Sequence, residues 1–128
     1  MAGTLTVDTV KSGLSTPTVF QNTSGVEVGQ LTKYWASLTP STPATKASFN
    51  QSSITKNGTG DCSMTFSVAF SDANYAINGL SNHYSGVNVY IPYNYQQFPP
   101  TTTYFRITWL GTTWNLVDPS YGFFSANR

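Results

Sequence analysis

Between Cys62 and Phe70 the even positions are Cys62, Met64, Phe66, Val68 and Phe70, all apolar, while the odd ones are Ser63, Thr65, Ser67 and Ala69. Strict alternation sends successive side chains to opposite faces, so this stretch reads as a strand with one buried and one wetted face. Asn57-Gly58-Thr59-Gly60-Asp61 precedes it. Two glycines with flanking Asn and Asp supply the positive-φ positions of a tight reversal. Ala47 to Ile54 is then the upstream hairpin partner, and Ser71-Asp72-Ala73-Asn74 turns the chain again. This hairpin is the expected centre of a β-sandwich.

The same alternation recurs along the chain. Tyr34-Trp35-Ala36-Ser37-Leu38 and Ala47-Ser48-Phe49 read as strands around a loop holding Pro40 and Pro43, which cannot donate to a central ladder. Tyr75-Ala76-Ile77 resumes with Tyr75 and Ile77 on one side, and Val87-Asn88-Val89-Tyr90-Ile91 alternates until Pro92 closes it. A long loop runs from Pro92 to Thr103. Tyr104 to Leu110 is a strong strand, with Phe105, Ile107 and Trp109 inward and Tyr104, Arg106 and Thr108 outward. Gly111-Thr112-Thr113 turns into Trp114-Asn115-Leu116-Val117 as hairpin mate, and Asp118-Pro119-Ser120 turns once more before Tyr121-Gly122-Phe123-Phe124. No segment has a helical period. Residues 33–128 are therefore expected to form an all-β domain, an antiparallel β-sandwich or jelly-roll-like barrel.

Residues 1–32 differ. Leu5, Val7, Val10, Val19, Val26, Val28 and Leu31 are spaced as short strand fragments broken by glycines and Pro17, and Phe20 is the one aromatic. So few large side chains cannot offset a backbone ordering entropy of about 1–2 kcal/mol per residue. The segment must be disordered or pack on something else; its alternating pieces favour the second, an extended N-terminal arm for which identical copies winding around one another would supply the partner.

Composition narrows the function. Only 9% of the 128 residues are charged and the net charge is +1, so no basic stripe exists to neutralise nucleic-acid phosphates. Thr (19), Ser (15) and Asn (10) make up about a third of the chain and suit strands and turns. No apolar run approaches the roughly 20 residues of a membrane-spanning helix, and the start of the chain lacks the pattern of a secretory signal. Cys62, the sole cysteine, lies on the apolar face and reads as a packed core thiol, which rules out an internal disulfide. The sequons at Asn22, Asn50 and Asn57 read as chance in a chain this rich in Ser and Thr.

Candidate chemistry is sparse. The acids are Asp8, Glu27, Asp61, Asp72 and Asp118, with no two close enough in sequence to suggest the paired carboxylates of sugar cleavage. No catalytic residue, cofactor or metal site is expected. His83, the lone histidine, reads as an exposed loop residue; three copies meeting on an axis are the one arrangement that would let it hold an ion. Trp35, Trp109 and Trp114 fall in strand patterns and are expected in the core or at a subunit interface. In the long loop, Tyr93, Asn94, Tyr95, Gln97 and Phe98 set aromatic faces beside amides. That combination suits a glycan, whose rings offer C–H faces and hydroxyls together, and equally suits packing against a neighbouring copy.

Thr4-Leu5-Thr6-Val7-Asp8-Thr9-Val10 and Val26-Glu27-Val28-Gly29-Gln30-Leu31 resemble the N-terminal openings of short tail-fibre-like proteins of tailed bacteriophages. Ala47-Ser48-Phe49-Asn50, Ser53-Ile54-Thr55, Asn57-Gly58-Thr59-Gly60-Asp61 and Phe70-Ser71-Asp72-Ala73-Asn74-Tyr75 look like that group's repeated core signature. The likeness covers roughly the first 80 residues, and Cys62 departs from it where an aromatic or β-branched residue is expected. The resemblance implies a homotrimeric virion structural protein, assembled in the host cytoplasm and acting with other virion proteins as a tail fibre in host attachment, with a host surface glycan as a candidate partner. A head fibre or capsid decoration protein is the alternative, since modules similar to this one serve on tails and on heads. A sugar-cleaving virion enzyme is a third reading.

Overall fold

The computed structural model describes residues 19–30, 32–82 and 97–127. The strand expected over Val87–Ile91, residues 92–96 of the long loop, His83 and the first strand fragments lie outside the described residues. The chain divides into two compact units, Met1–Leu31 and Thr32–Arg128. In the first, β1 (Val19–Gln21) pairs antiparallel with β2 (Glu27–Gln30). The Asn22 carboxamide oxygen accepts from the backbone N–H of Ser24 and Val26, and Gly25 takes φ +76°, so an Asx turn closes this hairpin.

In the second unit every described strand pairing is antiparallel, and no described residue is helical. The strands are β3 (Tyr34–Thr39), β4 (Ala44–Phe49), β5 (Gln51–Gly58), β6 (Asp61–Phe66), β7 (Ala76–Asn82), β8 (Tyr104–Thr108) and β9 (Tyr121–Asn127). They make a four-stranded sheet in the order β4-β3-β9-β7 and a three-stranded sheet in the order β5-β6-β8. The inward residues of both sheets share one core: Tyr34, Ala36 and Leu38; Cys62, Met64 and Phe66; Phe105 and Ile107; Phe124 and Ala126, joined by Phe70, Tyr75 and Trp109. The expected sandwich is thus present in residues 32–82 and 97–127, with its core at the alternating positions.

One end of the core is an aromatic cluster. The Tyr34 ring stands edge-on to Phe66 (5.3 Å) and Phe105 (5.2 Å), and Phe70 sits 4.6 Å from Phe66 and 4.5 Å from Tyr75. Such pairs contribute about 0.5–1.5 kcal/mol beyond the area they bury. Both tyrosine hydroxyls are satisfied: Tyr34 donates to Gln51 Oε1 (2.8 Å) and Tyr75 to the Thr101 carbonyl (2.9 Å). Burial drives the Tyr34 hydroxyl well above the ordinary phenol range and pushes the Cys62 thiol up to about 11, which keeps it an inert core group.

Three expectations are corrected. Ala47 to Ile54 is not one strand. The chain crosses between sheets at Asn50, so Ala47–Phe49 lies in β4 while only Gln51 onward pairs with β6. Asn50 has φ 60°, and its side chain spends itself on the crossover. Its amide nitrogen donates to the Lys33 and Val68 carbonyls, and its oxygen accepts from Val68 N–H at 2.6 Å. That conformation breaks any strand through it. Next, β6 ends at Phe66, and Val68, expected inward, is exposed because the chain bends there. Finally, the return after Gly111 is shorter than expected: Asn115–Val117 pairs back through the antiparallel bridge Leu110 to Leu116, with Gly111 N–H donating to the Asn115 carbonyl (2.8 Å) and Val117 N–H to the Trp109 carbonyl (3.1 Å), while Trp114 sits in the turn with φ 60° and stands 73% exposed, outside the core.

Candidate functional site

The sandwich has two outward faces, and the residues on them are unlike. On the three-stranded sheet the outward rows run Ser53, Thr65, Tyr104; Thr55, Ser63, Arg106; and Asp61, Thr108. Apart from Tyr104 these are hydroxyls and charges, and Asp61, Arg106 and Ser63 are tied together. Arg106 donates a fork to Asp61, with Nε to Oδ1 at 2.7 Å and the second arm to Oδ2. Asn57 donates from its amide to Asp61 Oδ1 (3.1 Å) and Ser63 Oγ (2.9 Å). The hydrogen bond from Arg106, helped by Asn57, holds the Asp61 carboxyl below the usual carboxylate range despite partial burial. A carboxyl tuned that way is a fixed anion rather than a proton donor.

Asp118 and Asp72 are held as well. Asp118 takes Lys56 Nζ on one oxygen (2.6 Å) and the Gly60 N–H on the other (2.8 Å). Asp72 Oδ1 accepts from Asn74 N–H and shapes the turn before β7. Among the described residues no group of three or more His, Cys, Asp or Glu stands together to hold a metal ion. Among the described residues no helix is long and apolar enough to cross a membrane.

Of the sequence-derived glycan candidates, Tyr93, Asn94 and Tyr95 lie outside the described residues. Gln97 is exposed. Phe98 is half-buried, and the Arg106 guanidinium lies 3.5 Å from its ring centroid. Phe98 therefore caps the Asp61–Arg106 pair on the polar face, a contact that the sequence did not announce.

The four-stranded sheet is different. One outward row runs Phe49, Trp35, Ser125, Asn78 from β4 to β7, and the next runs Ala47, Ser37, Phe123, Leu80. Tyr121 follows beside Asn82. The large members stay open to solvent: Trp35 42%, Phe49 53%, Phe123 54%, Leu80 77% and Tyr121 41%. An open hollow of about 470 Å³ lies among Trp35, Asn78, Leu80, Phe123 and Ser125. Lys46 reaches this face, its ammonium 4.0 Å from the centroid of the Tyr121 ring. A contiguous apolar surface of this kind marks a place where something docks.

Sequence patterning missed this face as a unit, although a signal existed. Tyr34-Trp35 and Phe123-Phe124 put large apolar residues at both parities of a strand, and alternation then requires both faces of that strand to be greasy. Trp109 is buried in the core as expected. Trp35 belongs to the docking face.

No protein-family model matches the sequence, and no curated protein matches it. Among solved structures the chain is similar to the phiAB6 tailspike, crystallised in complex with three-repeated oligosaccharides of Acinetobacter baumannii surface polysaccharide, at 14% identity and a TM-score of 0.46. That alignment covers 97% of this chain and 30% of the tailspike, so the chain spans less than a third of that protein's length.

Proposed function

We propose that the protein is a non-enzymatic structural component of a tailed-phage virion, a tail-fibre-type homotrimer that takes part in host attachment. The observation that carries this reading is the open apolar face of Trp35, Phe49, Leu80, Phe123 and Tyr121. A free-standing protein keeps such a surface wetted at a standing cost, whereas an assembly component covers it. The strings from Thr4 to Tyr75 that resemble short tail-fibre-like proteins supply the phage setting. Binding rather than catalysis is supported by the acids, since Asp61 and Asp118 are each held by a cation and Asp72 shapes a turn. The loop carrying Tyr93, Asn94, Tyr95, Gln97 and Phe98 remains the candidate glycan contact, with the Phe98 ring braced by Arg106.

Quantitative mass spectrometry of purified particles, with antibody labelling under the microscope, tests the reading. The expected result is the chain in few copies at the tail. Lattice-scale numbers over the head would make it a capsid decoration protein instead, and absence from the particle would overturn the virion assignment.

A further inference from the structure

We infer that the outward face of the β4-β3-β9-β7 sheet docks against the same face of a second copy of this chain, in a two-fold contact. The inference rests on the reading of that face as a docking surface and names its partner. Three observations select the partner. The first is size. Large side chains that bury about 150–250 Å² each when covered are here 41–77% open, leaving roughly 400–650 Å² of apolar area. A stable interface buries about 800 Å² on each side, with a polar rim around an apolar centre. The ring of Ser, Asn and Thr around these five residues supplies that rim, whereas a few sugar rings would leave most of the carbon wet.

The second observation is charge. No described acid lies on the face, its two central rows carry no charged residue, and Lys46 is held over Tyr121, so two copies meet there without like charges opposed.

The third is shape. Along one row the residues are large at Phe49 and Trp35 and then small or polar at Ser125 and Asn78; along the next they are small at Ala47 and Ser37 and then large at Phe123 and Leu80. A two-fold axis lying in the plane of the face, parallel to the strands, sets Trp35 over Ser125 of the other copy, Phe123 over Ser37 and Leu80 over Ala47. An axis across the strands also seats large on small. The pattern is thus its own complement, which an isologous contact requires, and the hollow beside Ser125 receives an aromatic from the facing copy.

Sedimentation of the full-length protein tests this. Wild type is expected as six protomers, two trimers joined through this face. Phe123→Ser with Leu80→Asn, which strips one pair of knobs, halves that number while the far-UV spectrum and cooperative unfolding are retained. Ser125→Phe, which fills the hollow and adds no polar group, does the same and serves as the second variant should the first misfold. An odd number of protomers overturns the two-fold contact and leaves the trimeric reading standing. A lone protomer overturns both, as would a monomer whose Trp35 fluorescence responds to added oligosaccharide. An even number unchanged in the variants also overturns the contact. Virion membership is decided separately, by the particle census.

Discussion

The two outward faces of the sandwich are built on the same backbone rule and end in opposite states. On the β5-β6-β8 side the outward groups close on one another, Asp61 with Arg106 and Asn57, and Phe98 over the guanidinium. On the β4-β3-β9-β7 side, Trp35, Phe49, Leu80 and Phe123 stand side by side and stay open to solvent. The difference teaches that alternation states only which residues share a face. Whether a face is finished depends on whether its groups satisfy each other within the chain. The polar sheet is finished, and its fixings should hold stability. The apolar sheet is unfinished, and its outward residues should hold association.

The sharpest way to break the finished side is at its hairpin turn. Gly60 has φ +62°, and a Cβ there would stand 2.7 Å from Val117 N and 2.8 Å from the Trp109 carbonyl oxygen, both backbone atoms that cannot swing away. Gly60→Ala is expected to lower the unfolding free energy by about 3 kcal/mol, measured by urea denaturation. A loss comparable to that of an ordinary surface substitution would mean the turn is not what sets this sheet.

Asn50 tests the joint between the faces. Removing its three side-chain hydrogen bonds in Asn50→Ala should cost about 2 kcal/mol, and Asn50→Gly should recover roughly 1 of these by relieving the left-handed backbone. Equal losses in the two variants would place the whole effect in the hydrogen bonds.

The polar face should also be acid-sensitive. The Asp61 carboxyl is held below its ordinary value, so its contribution is fully present above the unfolded-state pKa of about 3.9 and is lost as pH falls through the lower folded value. Asp61→Asn is expected to be less stable than wild type by about 1–2 kcal/mol at neutral pH, with the gap closing below about pH 4. A gap that persists in acid would assign the cost to packing rather than to the ion pair.

The smallest effect belongs to the apolar face. Phe123→Ser, compared with wild type at dilutions where neither associates, should change the unfolding free energy by no more than about 0.5 kcal/mol. A large loss would mean that Phe123 packs within its own chain and that the two faces are less different than argued.

The residues of the core were legible in the sequence because burial follows period two. Cys62, Met64, Phe66, Phe105, Ile107 and Trp109 all turn inward as the alternation requires. What was not legible depends on contacts distant in sequence. Asn50 reads as an ordinary turn or sequon residue until its partners Lys33 and Val68 are known. Asp118 likewise gains meaning only from Lys56 and Gly60, some 60 residues earlier. The docking face escaped for a related reason. Phe49, Trp35, Phe123 and Leu80 come from four strands, and only the sheet order makes them neighbours.

Hydroxyl-radical footprinting of the assembled protein, read residue by residue, tests the central claim most directly. Trp114, 73% exposed and away from the β4-β3-β9-β7 face, serves as the internal reference for open solvent. The account predicts that Trp35 and Phe123 are protected relative to Trp114 at working concentration and become labelled on dilution. Labelling of Trp35 and Phe123 at the rate their 42% and 54% exposure allows, at every concentration, would contradict it.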